Sequence, residues 1–319
     1  MRAVGADELL ASLDSPSLID ALATAFREGV VTPLRHHHTL KRPGEQDAVL
    51  LMMPAWSGGE GTDAYIGVKL VTVVPGNAAR GVASVQGSYV LMSGVTGAPL
   101  AVLDGTTLTL LRTAAASALA ARHLARRDAS RLVMIGAGAM APHLIAAHAS
   151  VRPIREVVIW SRDPTNAEAL AARLADRAYH VTAAADLDEA VASADIVSAA
   201  TMSRTPLVQG RFLAPGTHVD LVGAYTPEMR ESDDEAVARA RVFVDTREGA
   251  MHEAGDIVVP LRNGTLTPER IEADLFDFAA GRHAGRATEE EITLFKSVGT
   301  ALEDLAAARL AWERLKTVA

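Results

Sequence analysis

The run Leu132-Val-Met-Ile-Gly-Ala-Gly-Ala-Met-Ala141, with Val157-Val-Ile-Trp-Ser-Arg162 behind it, describes a strand, a glycine turn, the start of a helix and a second strand. The apolar residues before Gly136 read as a buried parallel strand. Gly136 and Gly138 allow a tight turn and the close approach of a pyrophosphate, and Ala141 takes the small third position of the fingerprint. The segment 141–150 then reads as a helix whose first N–H groups would face the phosphates. At the tip of the second strand, where an NAD-specific site carries an acid for the ribose 2′-hydroxyl, stand Ser161 and Arg162. That exchange favours NADPH, with NADH the weaker cofactor.

Working outward, Thr165 to Arg177 reads as the next helix. Further strands are predicted at Asp195-Ile-Val-Ser198, His218 to Val222 and Arg241 to Val244, alternating with helical stretches. This βαβ rhythm is that of a doubly wound parallel sheet, which makes the fold class α/β. The chain before it has a different texture. Residues 6–30 are helical in pattern with a break at Pro16. Then 34–40, 48–54, 64–74, 86–92 and 99–103 are short β-rich runs divided by Gly, Pro and Asn, as in an antiparallel or mixed sheet. A long Ala- and Leu-rich helix, Thr106 to Arg127, links the two parts. A final helix, Val298 to Lys316, is expected to pack back on the first. The reading is therefore a nucleotide-binding domain at 113–299 and a discontinuous α+β substrate domain built from 1–112 with 300–319.

At 319 residues, 49% hydrophobic and 22% charged, the chain can bury two cores. Its net charge of −8 argues against a nucleic-acid partner. No apolar run approaches membrane-spanning length, and the opening Met-Arg-Ala-Val-Gly-Ala-Asp-Glu lacks the apolar stretch of a signal peptide, so a cytoplasmic protein with no membrane partner is expected. With no cysteine, disulfides, thiolate chemistry and thiolate zinc sites are excluded.

Three basic residues of the first domain stand in apolar surroundings: Arg35 at the head of a β-rich run, Lys69 inside Tyr65-Ile-Gly-Val-Lys-Leu-Val-Thr-Val-Val74, and Arg112 inside Leu110-Leu-Arg-Thr-Ala-Ala-Ala-Ser117. A charge is costly to bury unless something pairs with it. If the three converge, an anionic substrate is the natural partner, its carboxylate held bidentately by a guanidinium. Taken singly, each fits a solvated face as well. His36-His37-His38 suggests a metal set, but consecutive strand residues alternate faces, so no metal is expected and His36 or His38 is assigned to the wall of the substrate pocket. His143 and His148 read as packing or surface residues. Asp220 reads as a structural hydrogen-bonding carboxylate.

These residues resemble the ornithine cyclodeaminase and mu-crystallin family. The resemblance runs through nearly the whole chain: Pro33-Leu-Arg35, Gly67-Val-Lys69 with Pro75-Gly-Asn77, Leu111-Arg-Thr-Ala-Ala115, Ile135-Gly-Ala-Gly138, Thr201, Val222-Gly-Ala224 with Pro227 and Arg230-Glu231, and Phe295-Lys-Ser-Val-Gly299. It implies a Rossmann domain joined to a substrate domain that also dimerises, and an NAD(P)-dependent enzyme acting on amino acids or their imines. By position it implies Arg35, Lys69 and Arg112 as the substrate-carboxylate group, and Thr113, Gly136, Gly138, Ala139, Met140, Ser161, Arg162, Thr201, Val222 and Ser297 as cofactor contacts.

One departure bears on the reaction. Where the family's cyclodeaminases carry an Asp thought to handle the side-chain amine, this chain has Tyr225. A phenol is a poor base at neutral pH but can donate a hydrogen bond. Ornithine cyclisation is thereby put in doubt. The resemblance implies instead a homodimeric ketimine reductase of proline metabolism, turning Δ1-pyrroline-2-carboxylate or Δ1-piperideine-2-carboxylate into L-proline or L-pipecolate, with Lys69, Arg35, Arg112 and Tyr225 as the reacting group. Ornithine cyclodeamination, reductive amination of a 2-oxo acid, and non-enzymatic NADP(H)-dependent binding of a small ligand are the alternatives.

Overall fold

The computed structural model describes residues 1–57 and 64–316. The chain divides into two compact units, Met1–Arg112 with Thr300–Ala319, and Thr113–Gly299.

The first unit opens with strand β1 (Arg2–Val4) and helices α1 (Ala6–Ser12) and α2 (Ser15–Glu28). Asp14 caps α2 by accepting from the Ser17 N–H at 2.9 Å, Pro16 sits in its first turn, and Gly29 ends it at φ +81°. Strands β2 (His36–Leu40), β3 (Ala48–Trp56), β4 (Tyr65–Val73), β5 (Val85–Ser93) and β6 (Pro99–Asp104) follow, and helix α3 (Gly105–Leu124) leads out of the unit. The strands form a six-stranded sheet in the order β1-β6-β5-β4-β3-β2, antiparallel except for the β1–β6 pair.

In the second unit the strands are β7 (Arg131–Ile135), β8 (Glu156–Trp160), β9 (His180–Ala183), β10 (Ile196–Ala199), β11 (His218–Leu221), β12 (Arg241–Val244), β13 (Ile271–Ala273) and β14 (Thr293–Lys296). The helices are α4 (Ala141–Val151), α5 (Pro164–Arg173), α6 (Leu187–Ala192), α7 (Asp234–Arg239), α8 (Arg247–Glu253), α9 (Gly255–Asn263) and α10 (Leu275–Ala279). All pairings are parallel, in the order β13-β12-β14-β11-β10-β7-β8-β9. Every residue of β10, β11 and β14 is buried, as expected of strands covered on both faces. The strand order reverses between β7 and β10, so the ligand crevice of such a sheet lies at their carboxyl ends.

The last helix, α11 (Ala301–Leu315), belongs to the first unit and packs on α2 and on β3 to β5, burying Leu302, Leu305 and a row of alanines. It begins later than its sequence suggests, because the Val298 and Gly299 N–H groups each donate to the Asp245 carboxylate at 2.7 Å. The helix after β8 likewise stops at Arg173 rather than Arg177, and α3 stops at Leu124 rather than Arg127. Four short strands, β1, β9, β13 and β14, carry no strand signal in the sequence reading.

Candidate active-site residues in the two units

In the second unit, Gly136 ends β7 at φ +105°, where a Cβ would stand 2.8 Å from the Ala200 carbonyl oxygen. Glycine is required there on both counts. Around the Cβ direction of Gly138 there is no atom within 4 Å, so the backbone is open to a close-lying group. Ala139 is exposed, Met140 is the N-cap of α4, and no side chain caps that helix. An uncapped helix start beside an open glycine turn fits a pyrophosphate. At the end of β8, Ser161 is half-buried and Arg162 exposed. The next acid, Asp163, is committed to capping α5, accepting from the Thr165 N–H at 3.1 Å and its hydroxyl at 2.8 Å.

Thr201, Val222 and Ser297 each follow a carboxyl strand end, of β10, β11 and β14. The Val222 N–H donates to the Ala199 carbonyl at 2.8 Å and the Ser297 N–H to the Leu221 carbonyl at 3.1 Å, which holds the loop starts in register. Thr113 is buried on α3. Tyr225, beyond β11, is 44% exposed. Asp220 has the structural role read for it: Ser198 donates to it at 2.7 Å, and His148 Nε2 lies 3.0 Å away, with all three side chains buried. Burial would raise the Asp220 carboxyl, but His148 and Ser198 hold it below the usual range. His148 is thus a buried hydrogen-bonding residue of α4 and not a surface one.

In the first unit the charged residues are joined through two acids of α11. Lys69 Nζ lies 2.7 Å from one Asp304 oxygen. Arg112 donates from Nε to the other Asp304 oxygen at 2.9 Å and from Nη1 to Glu303 at 2.6 Å. Lys69 and Arg112 are 3% and 5% exposed and both acids are fully buried. Lys69 is pushed down to about 8, first by burial, with Asp304 opposing and the Arg112 and Arg35 charges adding. Burial would lower Arg112, but Asp304 and Glu303 raise it above its ordinary value. Asp304, which burial alone would raise, is held down by Lys69 and Arg112. Tyr89, the antiparallel register partner of Lys69, is also buried. Its phenol fills the space above Gly67, and burial with the Asp304 charge pushes it well up.

This corrects the sequence argument in one respect. The buried charges of Lys69 and Arg112 already have protein partners, so their burial alone does not call for an anionic ligand. Glu303 and Asp304 were overlooked, although two adjacent acids in Thr300-Ala-Leu-Glu-Asp-Leu-Ala-Ala-Ala308 carry the same signal as Arg112 in its own apolar helix. Arg35 precedes β2, half-buried, and its charge reaches Lys69. His36 lies on β2, exposed, with its ring parallel to that of His38 at 6.5 Å. Among the described residues no group of three or more His, Cys, Asp or Glu could hold a metal ion.

Comparison with known proteins extends over the whole chain. The sequence profile of the ornithine cyclodeaminase/mu-crystallin family matches residues 6–318. Protein SAR DEFICIENT 4 of Arabidopsis thaliana is 43% identical over 289 residues, 89% of this chain and 87% of that one. The Δ1-pyrroline-2-carboxylate reductase of Paracoccus denitrificans is 39% identical over 294 residues, 90% of this chain and 92% of that one. Among solved structures, the Δ1-pyrroline-2-carboxylate reductase of Thermococcus litoralis in complex with NADH and L-proline superposes with a TM-score of 0.92 at 33% identity, covering 100% of this chain and 98% of that one.

Proposed function

The chain belongs to the ornithine cyclodeaminase/mu-crystallin family, and on that premise we propose that it is an NAD(P)H-dependent ketimine reductase acting on a cyclic imine that carries a carboxylate. Δ1-Pyrroline-2-carboxylate, reduced to L-proline, is the first candidate, and Δ1-piperideine-2-carboxylate the second. The observation that carries the reading is the buried Lys69–Asp304–Arg112–Glu303 cluster, with Arg35 close enough for its charge to be felt at Lys69. Asp304 and Glu303 hold the two cations in place, and Arg35, whose charge reaches Lys69, is the third basic residue that would face a substrate carboxylate.

Asp304 and Glu303 fix the Arg112 guanidinium and the Lys69 ammonium in place, as a preorganised clamp requires. Arg35 and Arg112 would hold the carboxylate. Lys69 would hydrogen-bond the substrate, and with its proton held at about 8 it is a reasonable donor to the imine nitrogen. Tyr225 is a second hydroxyl donor and His36 a wall residue. When bound, NAD(P)H supplies the hydride that goes to C2, and the nitrogen takes a proton, giving the saturated imino acid. Gly136, Gly138, Ala139 and Met140 would hold the pyrophosphate, Ser161 and Arg162 the adenosine ribose, and Thr113, Thr201, Val222 and Ser297 the remainder. Preference for NADPH over NADH is supported by Arg162 and by the commitment of Asp163 to its helix cap.

We further propose a cytoplasmic homodimer. Strand β2 is an edge strand with all five residues exposed, the kind of edge that a second copy can cover.

The test is NADPH oxidation with Δ1-pyrroline-2-carboxylate, Δ1-piperideine-2-carboxylate, pyruvate with ammonia, and Δ1-pyrroline lacking the carboxylate. Turnover of either cyclic ketimine acid well above the other two supports the reading. Equal turnover of the imine without a carboxylate removes the clamp from it.

A further inference from the structure

Glu231 is fully buried in the second unit and belongs to no helix or strand. One carboxylate oxygen accepts from the Thr201 N–H at 2.6 Å and from the Thr201 hydroxyl at 2.8 Å. The other accepts from the Gly223 N–H at 2.8 Å and the Ala224 N–H at 3.3 Å. One side chain therefore ties together the loops that leave β10 and β11, neighbouring strands at the crevice of the sheet. The loops are also pressed together: a Cβ on Gly223 would lie 2.0 Å from the Thr201 carbonyl oxygen, and the one on Gly136 lies 3.3 Å from the Thr201 methyl.

The clamp is itself anchored. Asp256, at the start of α9, accepts from the Glu231 N–H at 2.9 Å, the Ser232 N–H at 2.8 Å and the Ser232 hydroxyl at 3.1 Å. Lys296, the last residue of β14, places its ammonium 3.3 Å from Asp256 and 3.8 Å from Glu231, with all three side chains fully buried. A carboxylate that needed only to be neutralised would not require four donors from two loops. A buried carboxyl group with its acceptor sites this well used is a means of fixing backbone geometry.

We propose that Glu231 is a positioning residue for the nicotinamide half of the cofactor: by clamping the β10 and β11 loops it shapes the surface on which the nicotinamide mononucleotide rests. The inference rests on the dinucleotide reading of this unit. The adenosine and pyrophosphate half would fall to Gly136, Gly138, Ser161 and Arg162, none of which is hydrogen-bonded to Glu231. The two halves of the ligand should therefore respond differently to loss of the clamp. A Gln in this place keeps the shape but presents an amide N–H to donors, so one of the two loops is released.

Titration calorimetry of the full chain with NADPH and with 2′-phospho-ADP, and in parallel with NADH and ADP, separates these possibilities. For Glu231→Gln the dissociation constant of the dinucleotide is expected to rise about tenfold or more, and that of the matching fragment to stay within about threefold. Equal weakening of both would make Glu231 a general structural residue, and no weakening of either would make it irrelevant to the cofactor. Both results overturn the proposal. If Glu231→Gln does not fold, Glu231→Asp keeps the carboxyl group but is one methylene too short to span both loops, and the same split is expected. Wild-type protein that binds neither dinucleotide nor fragment would overturn the dinucleotide reading itself, a result distinct from either variant outcome.

Discussion

Asp304 and Lys69 form an ion pair of 2.7 Å between helix α11 and strand β4, with the lysine side chain 3% and the aspartate 0% exposed. The same carboxylate also accepts from Arg112 at 2.9 Å. Removing one partner of a buried pair leaves the other charge uncompensated, typically at about 3–5 kcal/mol. Asp304→Asn should lower unfolding stability by about that much, and kcat/KM for the imine acid by at least about tenfold through loss of cation placement. Adding Lys69→Met should recover part of the stability and none of the activity. Denaturant unfolding and the NADPH assay read both quantities. An Asp304→Asn protein of wild-type stability would show that the pair contributes nothing net.

The Lys69 ammonium gives activity and stability opposite pH trends. Burial lowers its pKa from 10.5 to about 8. Below about pH 8 folded and unfolded chains both carry the proton. Between about 8 and 10.5 the unfolded chain keeps a proton that the folded one has released, so this group makes the fold relatively more stable as pH rises through that window. In the proposed reaction Lys69 acts as the charged ammonium beside the carboxylate, so imine reduction should decline as pH rises through about 8. Lys69→Arg should remove or raise that descending limb, whereas a limb belonging to the substrate imine would remain. An unchanged limb in the variant assigns it to the substrate.

Arg162 is exposed at the end of β8, and the nearby Asp163 is occupied as the cap of α5. Arg162→Ala should raise KM for NADPH by about tenfold and leave KM for NADH within about twofold, because only the 2′-phosphate loses a charged partner. Wild-type protein with a clear preference for NADH would sink the assignment of Ser161 and Arg162 as a 2′-phosphate site.

The parts of this molecule that sequence reading recovered are those with local signals. Strands β7, β8, β10 and β11 are short apolar runs, and the glycine turn and the start of its following helix lie within ten residues of β7. The misses have a common cause. Strand β14, Thr293-Leu-Phe-Lys296, ends on a lysine that can be buried because Asp256 and Glu231 meet it, and no local pattern shows that. In the same way, Arg112 finds Glu303 and Asp304 at sequence separations of 191 and 192. Their adjacency arises from α11 returning to the first unit. An apolar segment that contains a charge does announce that a partner exists, but not whether the partner is substrate or protein.

Tyr225 carries the proposed choice between imine reduction and ornithine cyclisation. It stands beyond β11 in the loop whose Gly223 and Ala224 N–H groups Glu231 holds, and it is 44% exposed, so its phenol is free of the buried network behind it. A carboxylate at this place could accept a proton from a substrate side-chain amine, whereas a phenol at neutral pH can only donate or weakly accept. The protein should therefore reduce a preformed cyclic ketimine acid and release little ammonia from L-ornithine with NADP⁺ or NAD⁺. Tyr225→Phe separates the two roles left to the phenol: a proton donor would lose kcat and change its pH profile, while a wall of the pocket would change KM alone. Tyr225→Asp should leave the fold intact, since the side chain is surface-lying, and any gain of ammonia release would show that this position selects the reaction. Conversion of L-ornithine to proline by the unaltered protein, at a rate comparable to imine reduction, would mean that an acid at this position is not what cyclisation requires.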